Sequence, residues 1–362
     1  MKTAFIPKLT ISVFAMLALL IPAAGQIYAQ GMGNQTKPTM GGGQSGPPQG
    51  QDTQQQPMQK PTGQGEEAIA ANKVKDAKDG NSAVAAALEY AKAYPNGKAR
   101  IFVVDSAADK IGSIADPAQR AMACEKLLPA FQGPNETDGL FMMLIEKKQY
   151  DDAFRLAAPR VQKVQGEVVI LTQLALVGGN QIKAKNNKYQ DVSFDYSKKA
   201  AEMIESGTKP AAMADTDWQI YKTKALPELY QTIGMISLTK NEDGQAQKML
   251  QKSLSLDSNN ALTYLLLGFV SDEEYQATVK KYQAASDDKE KKDLREKAVN
   301  LMSQTVDLFL HAAGLSEGNA DLKSVNEQAK AALPQYYKFL HGGSDSGMQA
   351  DIDKYKKAAV NP

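Results

Sequence analysis

The chain has 362 residues, 43% hydrophobic and 23% charged, the composition of a soluble globular or repeat protein. Lysine and arginine number 42 against 41 acids, and a net charge of +1 supplies no broad field for nucleic acid or an anionic membrane. One cysteine excludes an internal disulfide, and two histidines exclude a histidine- or cysteine-rich metal site, while an all-carboxylate calcium site stays open.

The first element is an address. Lys2 and Lys8 form a short basic start, an apolar run follows from Leu9 to Ala24, and small residues follow at Ala23-Ala24-Gly25 and Ala29. This is the layout of a secretory signal peptide over residues 1–29, cleaved after Gly25 or after Ala29. The run is shorter than the ~20 apolar residues a spanning helix needs. An uncleaved N-terminal anchor is the alternative, and it would be the chain's one link to a membrane. The reading implies a secreted or periplasmic protein. No cysteine stands near the cleavage region to carry a lipid.

Residues 30–65 contain 10 glutamines, 9 glycines and 5 prolines and no aromatic residue. Such a stretch cannot bury enough apolar surface to offset its chain entropy, so it reads as a disordered linker.

From Glu66 to Pro362 the pattern is helical, with no run of alternating apolar and polar residues. Asp116-Pro117 places a cap residue before a proline at the first helical position. Ser271 and Glu274 have the spacing of a capping box and predict a helix start. Gly80, Gly97, Gly133, Gly207 and Gly314 fall near expected helix ends. Leu294, Ala298, Leu301, Met302, Thr305, Phe309 and Ala312 step by three and four residues along one helix face. Three Leu-Pro elements, at Leu128-Pro129, Leu226-Pro227 and Leu333-Pro334, read as helix boundaries because proline breaks the helix before it or opens the next.

An internal repeat shapes the expected fold. Tyr230-Gln231-Thr232-Ile233-Gly234 and Tyr264-Leu265-Leu266-Leu267-Gly268 repeat an aromatic, an apolar residue three on, and a glycine at a period of 34. Turn-like segments recur at Gln149-Tyr150-Asp151-Asp152-Ala153, at Asn187 to Val192 and at Asn241 to Ala246. In these features the stretch from Asp138 to Val270 resembles the tetratricopeptide repeat family. The turns are unevenly spaced, Ser258 stands where the family's closing proline would, and the alanine after Gly268 arrives only at Ala298. The resemblance implies an all-α, helical-hairpin solenoid over residues 66–362. It places Gly234 and Gly268 at close helix contacts, with Ala246 and Leu250 on the second helix of the first pair. It implies a groove for a protein or peptide partner, lined by Met142 and Ile145, by Gln231, Met235 and Thr239, and by Leu265 and Phe269.

Chemical motifs are scarce. No phosphate loop occurs, and Gly342-Gly343-Ser344-Asp345-Ser346 lacks the last glycine of a nucleophile elbow. His341-Gly342-Gly343 reads as a helix end. Cys124, in an alanine-rich helical run, reads as a buried structural thiol and His311 as a partly buried helix residue. The acid pairs Asp151/Asp152, Asp272/Glu273/Glu274 and Asp287/Asp288 are sequence neighbours, which do not face each other on a helix. The expectation is therefore an exported scaffold that binds protein or peptide, is not an enzyme, and takes no cofactor, metal or nucleic acid. Two alternatives remain. One is a small-molecule or glycan-binding helical envelope protein using Tyr221, Tyr230, Tyr264, Phe269 and Tyr336/Tyr337. The other is an enzyme of unfamiliar helical fold.

Overall fold

The computed structural model describes residues 64–211 and 213–356; the expected signal peptide and almost all of the expected linker lie outside them. Every regular element among the described residues is helical. The residues form two compact units, 64–152 and 153–356.

The first unit contains α1 (Gln64–Lys75), α2 (Gly80–Ala93), α3 (Arg100–Ile111), α4 (Pro117–Leu127) and α5 (Asp138–Glu146). Gln64 and Gly65, assigned to the linker from composition, open α1. The Asp79 carboxylate accepts a hydrogen bond from the Ser82 backbone N–H at 2.8 Å and caps α2. Asp116 caps α4 as expected, accepting from Ala118 N–H at 2.7 Å, with Pro117 at the first helical position. Residues 128–130 form a 3-10 turn, so Pro129 marks a helix boundary.

The second unit follows from within α6 (Tyr150–Lys163) and holds α7 (Val168–Lys183), α8 (Gln190–Glu205), α9 (Asp215–Thr239), α10 (Asp243–Leu256), α11 (Ala261–Ala284), α12 (Asp288–Ser316), α13 (Lys323–Leu340) and the short α14 (Met348–Asp353). Three antiparallel hairpins, α7/α8, α9/α10 and α11/α12, dominate its packing, and each second helix also packs on the first helix of the next pair. The α7/α8 and α9/α10 turns share one closure. Lys185 and Asn241 adopt φ of 65° and 59°, and the next N–H reaches back to a carbonyl of the last helical turn, Asn186 to Gln181 at 2.8 Å and Glu242 to Ser237 at 2.9 Å. This left-handed closure satisfies carbonyls that a helix end would leave bare. In the first unit, Lys148 repeats it after α5, with φ of 57° and Gln149 N–H on Leu144 at 2.8 Å.

Glycines set the closeness of each pair. A Cβ on Gly234 would lie 2.6 Å from Leu250 Cγ and 3.3 Å from the Ala246 carbonyl oxygen, so the contact read from the sequence is present with its named partners. Gly268 faces the Phe309 ring. The partner across that hairpin is thus Phe309 rather than Ala298, because α11 and α12 are both lengthened and their turn lies farther away. Gly178 of α7 packs on the Ser193 side chain. The small contact residue of α8 is therefore Ser193, which is wholly buried.

Two further expectations are corrected. Ser271 is inside α11, which starts at Ala261 behind the cap Asn260. Ser271 Oγ instead donates to the Leu301 carbonyl at 3.3 Å and accepts from Thr305 at 2.8 Å across the hairpin. Pro227 and Pro334 lie within α9 and α13 rather than at their ends. Proline removes one helical hydrogen bond, which tertiary packing can outweigh. Here the Pro227 carbonyl also accepts from buried Ser253 at 2.8 Å. The α12 face read from its three-four spacing is buried from Ala298 to Ala312, with Leu294 half-buried.

Candidate interaction surface

The seven residues expected to line a groove divide between the two units. In the second, Met235 and Leu265 are wholly buried and Phe269 and Gln231 are 2% exposed. Phe269 meets Phe309 edge-on at 5.6 Å. Gln231 donates to Asn260 at 2.9 Å and to Thr263 at 2.7 Å, locking α9 to the start of α11. Thr239 is half-buried and its hydroxyl donates to the Ile236 carbonyl at 2.7 Å. Four of these five positions are core, which corrects the expectation of an open apolar row there. The physical reason is that α9 packs against α7, α8, α10 and α11, so the stripe meant for a partner meets other helices of the same chain.

The aromatic residues of the small-molecule reading are also enclosed. Tyr221, Tyr230, Tyr336 and Tyr337 are buried, and only Tyr264 is half-exposed. The Tyr230 hydroxyl accepts from Lys252 at 2.7 Å, and the same ammonium pairs with Glu205 at 2.6 Å.

In the first unit Met142 and Ile145 are half-exposed on α5. The helix before them in the packing, α3, carries Phe102, Asp105 and Asp109 at steps of three and four, which share one stripe. Phe102 is 42% exposed, the aromatic member of a handful of large apolar side chains that stay open among the described residues. The seam between α3 and α5 is close because both lack side chains where they touch. A Cβ on Gly139 would meet the Asp105 carboxylate and lie 3.3 Å from Asp105 Cα, and one on Gly112 would lie 3.2 Å from Met143 Cγ. Arg100 holds the entry to α5, pairing with Glu136 at 2.6 Å and donating to the Ala130 carbonyl at 2.7 Å, with its guanidinium over the Phe131 ring.

Asp105 is exposed as a residue, but close packing against Gly139 strips water from its carboxyl, and the negative charge of Asp109 one turn on adds to the effect. Together they lift it to about 6. The charged side chains on the two stripes, Asp105, Asp109 and Glu146, are all acids. Sequence reading missed Phe102 and Asp105. The available signal was an aromatic residue spaced by three and four from two acids, but in sequence it cannot be told from a half-buried core edge.

Cys124 is 1% exposed and burial pushes its thiol up to about 12, which leaves it protonated and shielded. His311 is sandwiched between Tyr264 and Tyr355, and His341 stacks on Tyr337. Among the described residues no group of three or more histidine, cysteine or acidic side chains could hold a metal ion. No described helix is long and apolar enough to cross a membrane. No protein-family model matches the chain, and no curated protein matches it.

Proposed function

We propose that this chain is an exported scaffold, built of tetratricopeptide-like hairpins, that holds an extended peptide segment of a partner protein. The glycine-spaced hairpins and their order of packing, first helix to second and second to the next first, support the repeat reading within the second unit. The basic-apolar-small leader of residues 1–29 supports export to the periplasm or beyond.

The observation that carries the binding reading is the stripe pair on α3 and α5. Phe102, Met142 and Ile145 are open or half-open beside Asp105, Asp109 and Glu146. Apolar side chains within an acidic rim fit a peptide that presents apolar residues together with lysine or arginine. Methionine adapts to varied apolar side chains, which suits a partner recognised by chemistry more than by shape.

The test uses the full chain and two synthetic probes, a ten-residue peptide alternating leucine with lysine and its counterpart with glutamate for lysine. The lysine peptide should bind and the glutamate peptide should not. The double substitution Phe102→Ser with Met142→Ser should weaken binding at least tenfold at unchanged helicity. Equal binding of both peptides, or no effect of the double substitution, would overturn the assignment.

A further inference from the structure

The described chain ends in the short helix α14, joined to α13 by an exposed, glycine-rich turn. Residues 341–347, between α13 and α14, are all exposed. Three glycines in this short stretch, Gly342, Gly343 and Gly347, have φ of 64°, 96° and 92°. A Cβ at Gly342 or Gly343 would meet nothing within 4 Å; the turn is held instead by the Gly343 N–H on the Lys338 carbonyl at 2.7 Å, which closes α13, and by the Lys338–Asp345 pair at 2.9 Å. After this closure the exposed, glycine-rich turn runs on to α14, and glycine adopts its positive φ without strain.

Beyond the turn, residues 348–356 lie on α12 and α13. Ile352 is wholly buried, and it is the one fully enclosed apolar side chain of the segment. Met348 and Tyr355 are partly buried against the same core. The remaining attachments are polar. Tyr355 Oη donates to Asp307 at 2.9 Å, and the Tyr337 hydroxyl donates to Asp351 at 2.6 Å. The Tyr355 ring lies 3.7 Å from the His311 ring, centroid to centroid, and Lys356 pairs with Glu317 at 3.5 Å.

The surface beneath is shaped for this backbone. Gly314 stands inside α12, where a Cβ would come 2.5 Å from the Ile352 carbonyl oxygen and 2.7 Å from Tyr355 Cβ. A glycine inside a helix gives up stability relative to alanine, and here its missing side chain is the space through which the segment passes. Side-chain groups that receive the segment (Asp307, His311, Glu317 and Tyr337) come from α12, its C-cap and α13, so they stay in place when the segment leaves.

We propose that residues 348–356 are a releasable strap, and that the seat they occupy on α12 and α13 is a docking site for a peptide of the strap's own chemistry: an acid, an aliphatic residue directly after it, and a tyrosine three residues further on. The strap covers the seat by intramolecular competition. A short segment held by one fully buried side chain, two partly buried ones and a few polar contacts at the surface belongs to the part of a structure that opens first. A tethered occupant keeps a competitor out until it lifts, and its loss raises the apparent affinity of the competitor.

The experiment uses the full chain and a fluorescent synthetic peptide of residues 347–356. Ile352→Ser with Tyr355→Ala loosens the strap and leaves the seat unfilled. This variant should bind the peptide at least tenfold more tightly than the unaltered chain. Adding Gly314→Leu fills the seat and should abolish binding at equal helicity. Equal binding to the unaltered chain and the variant, or no binding to a folded variant, would refute the proposal. If the variant loses helicity, hydrogen exchange on the unaltered chain decides. Amides of 350–356 should exchange at least tenfold faster than those of 329–337, and equal protection would refute the strap.

Discussion

Asp272 shows how a single side chain couples this fold to pH. It is 4% exposed, its carboxylate accepts from the Tyr336 hydroxyl and from Gln276, and it ties α11 to α13. Burial raises its carboxyl above the usual range, against the lowering effect of those two donors. A carboxyl raised in the folded state favours folding while it is protonated, and that contribution is lost as pH rises through the folded value. Asp272→Asn keeps an acceptor for Tyr336 and removes the charge. It should leave the melting temperature at pH 4 nearly unchanged and raise it at pH 7.5 by about 2–4 °C for each ~1 kcal/mol recovered. Equal melting of the two proteins at pH 7.5 would show that the buried charge is fully compensated. Asp105, lifted to about 6, has the same sign, so its own contribution declines between ordinary carboxylate pKa values and about pH 6.

At the scale of the element, hairpin closeness depends on particular glycines and not on glycine content. Gly234 and Gly244 lie on paired helices but have opposite surroundings. A Cβ on Gly234 would press on Leu250, whereas one on Gly244 would meet nothing within 4 Å. Gly244→Ala should therefore hold or slightly raise stability, by up to about 1 kcal/mol, since alanine is the better helix former. Gly234→Leu should cost about 1–3 kcal/mol by overpacking. Denaturant midpoints measured on the pair check the register directly, and similar effects at both sites would contradict the glycine contact. The same scale explains why Pro227 and Pro334 do not end their helices. The local rule penalises one hydrogen bond, and α9 and α13 each bury several large side chains along the same length.

At the scale of the whole molecule, residues 64–356 supply two helical units, and the proposed export rests on the sequence of residues 1–29. Residues 1–29 should be removed on export. N-terminal sequencing of the protein recovered from its native compartment should begin at Gln26 or Gln30, and a native chain still starting at Met1 would overturn the export assignment. The first unit keeps an open, acid-rimmed apolar stripe, while the matching stripes of the second unit are enclosed by their own neighbours.

What the sequence determined by itself is local. Helical periodicity, the Asp116-Pro117 start, the turns after Lys148, Lys185 and at Asn241, and the Gly234 contact with Ala246 and Leu250 are all written in spacings of a few residues or one repeat. These follow from backbone sterics and hydrogen bonding, which act over one or two helical turns. Tertiary structure alone decided which stripes stay open. Met235 and Phe269 have the same residue types and spacing whether they face water or a neighbouring helix, and they became core because α9 and α11 are enclosed on several sides. Phe102 stayed exposed and Ile352 was buried for the same reason. Exposure depends on what distant segments bring to a surface, and periodicity within one helix carries no record of that.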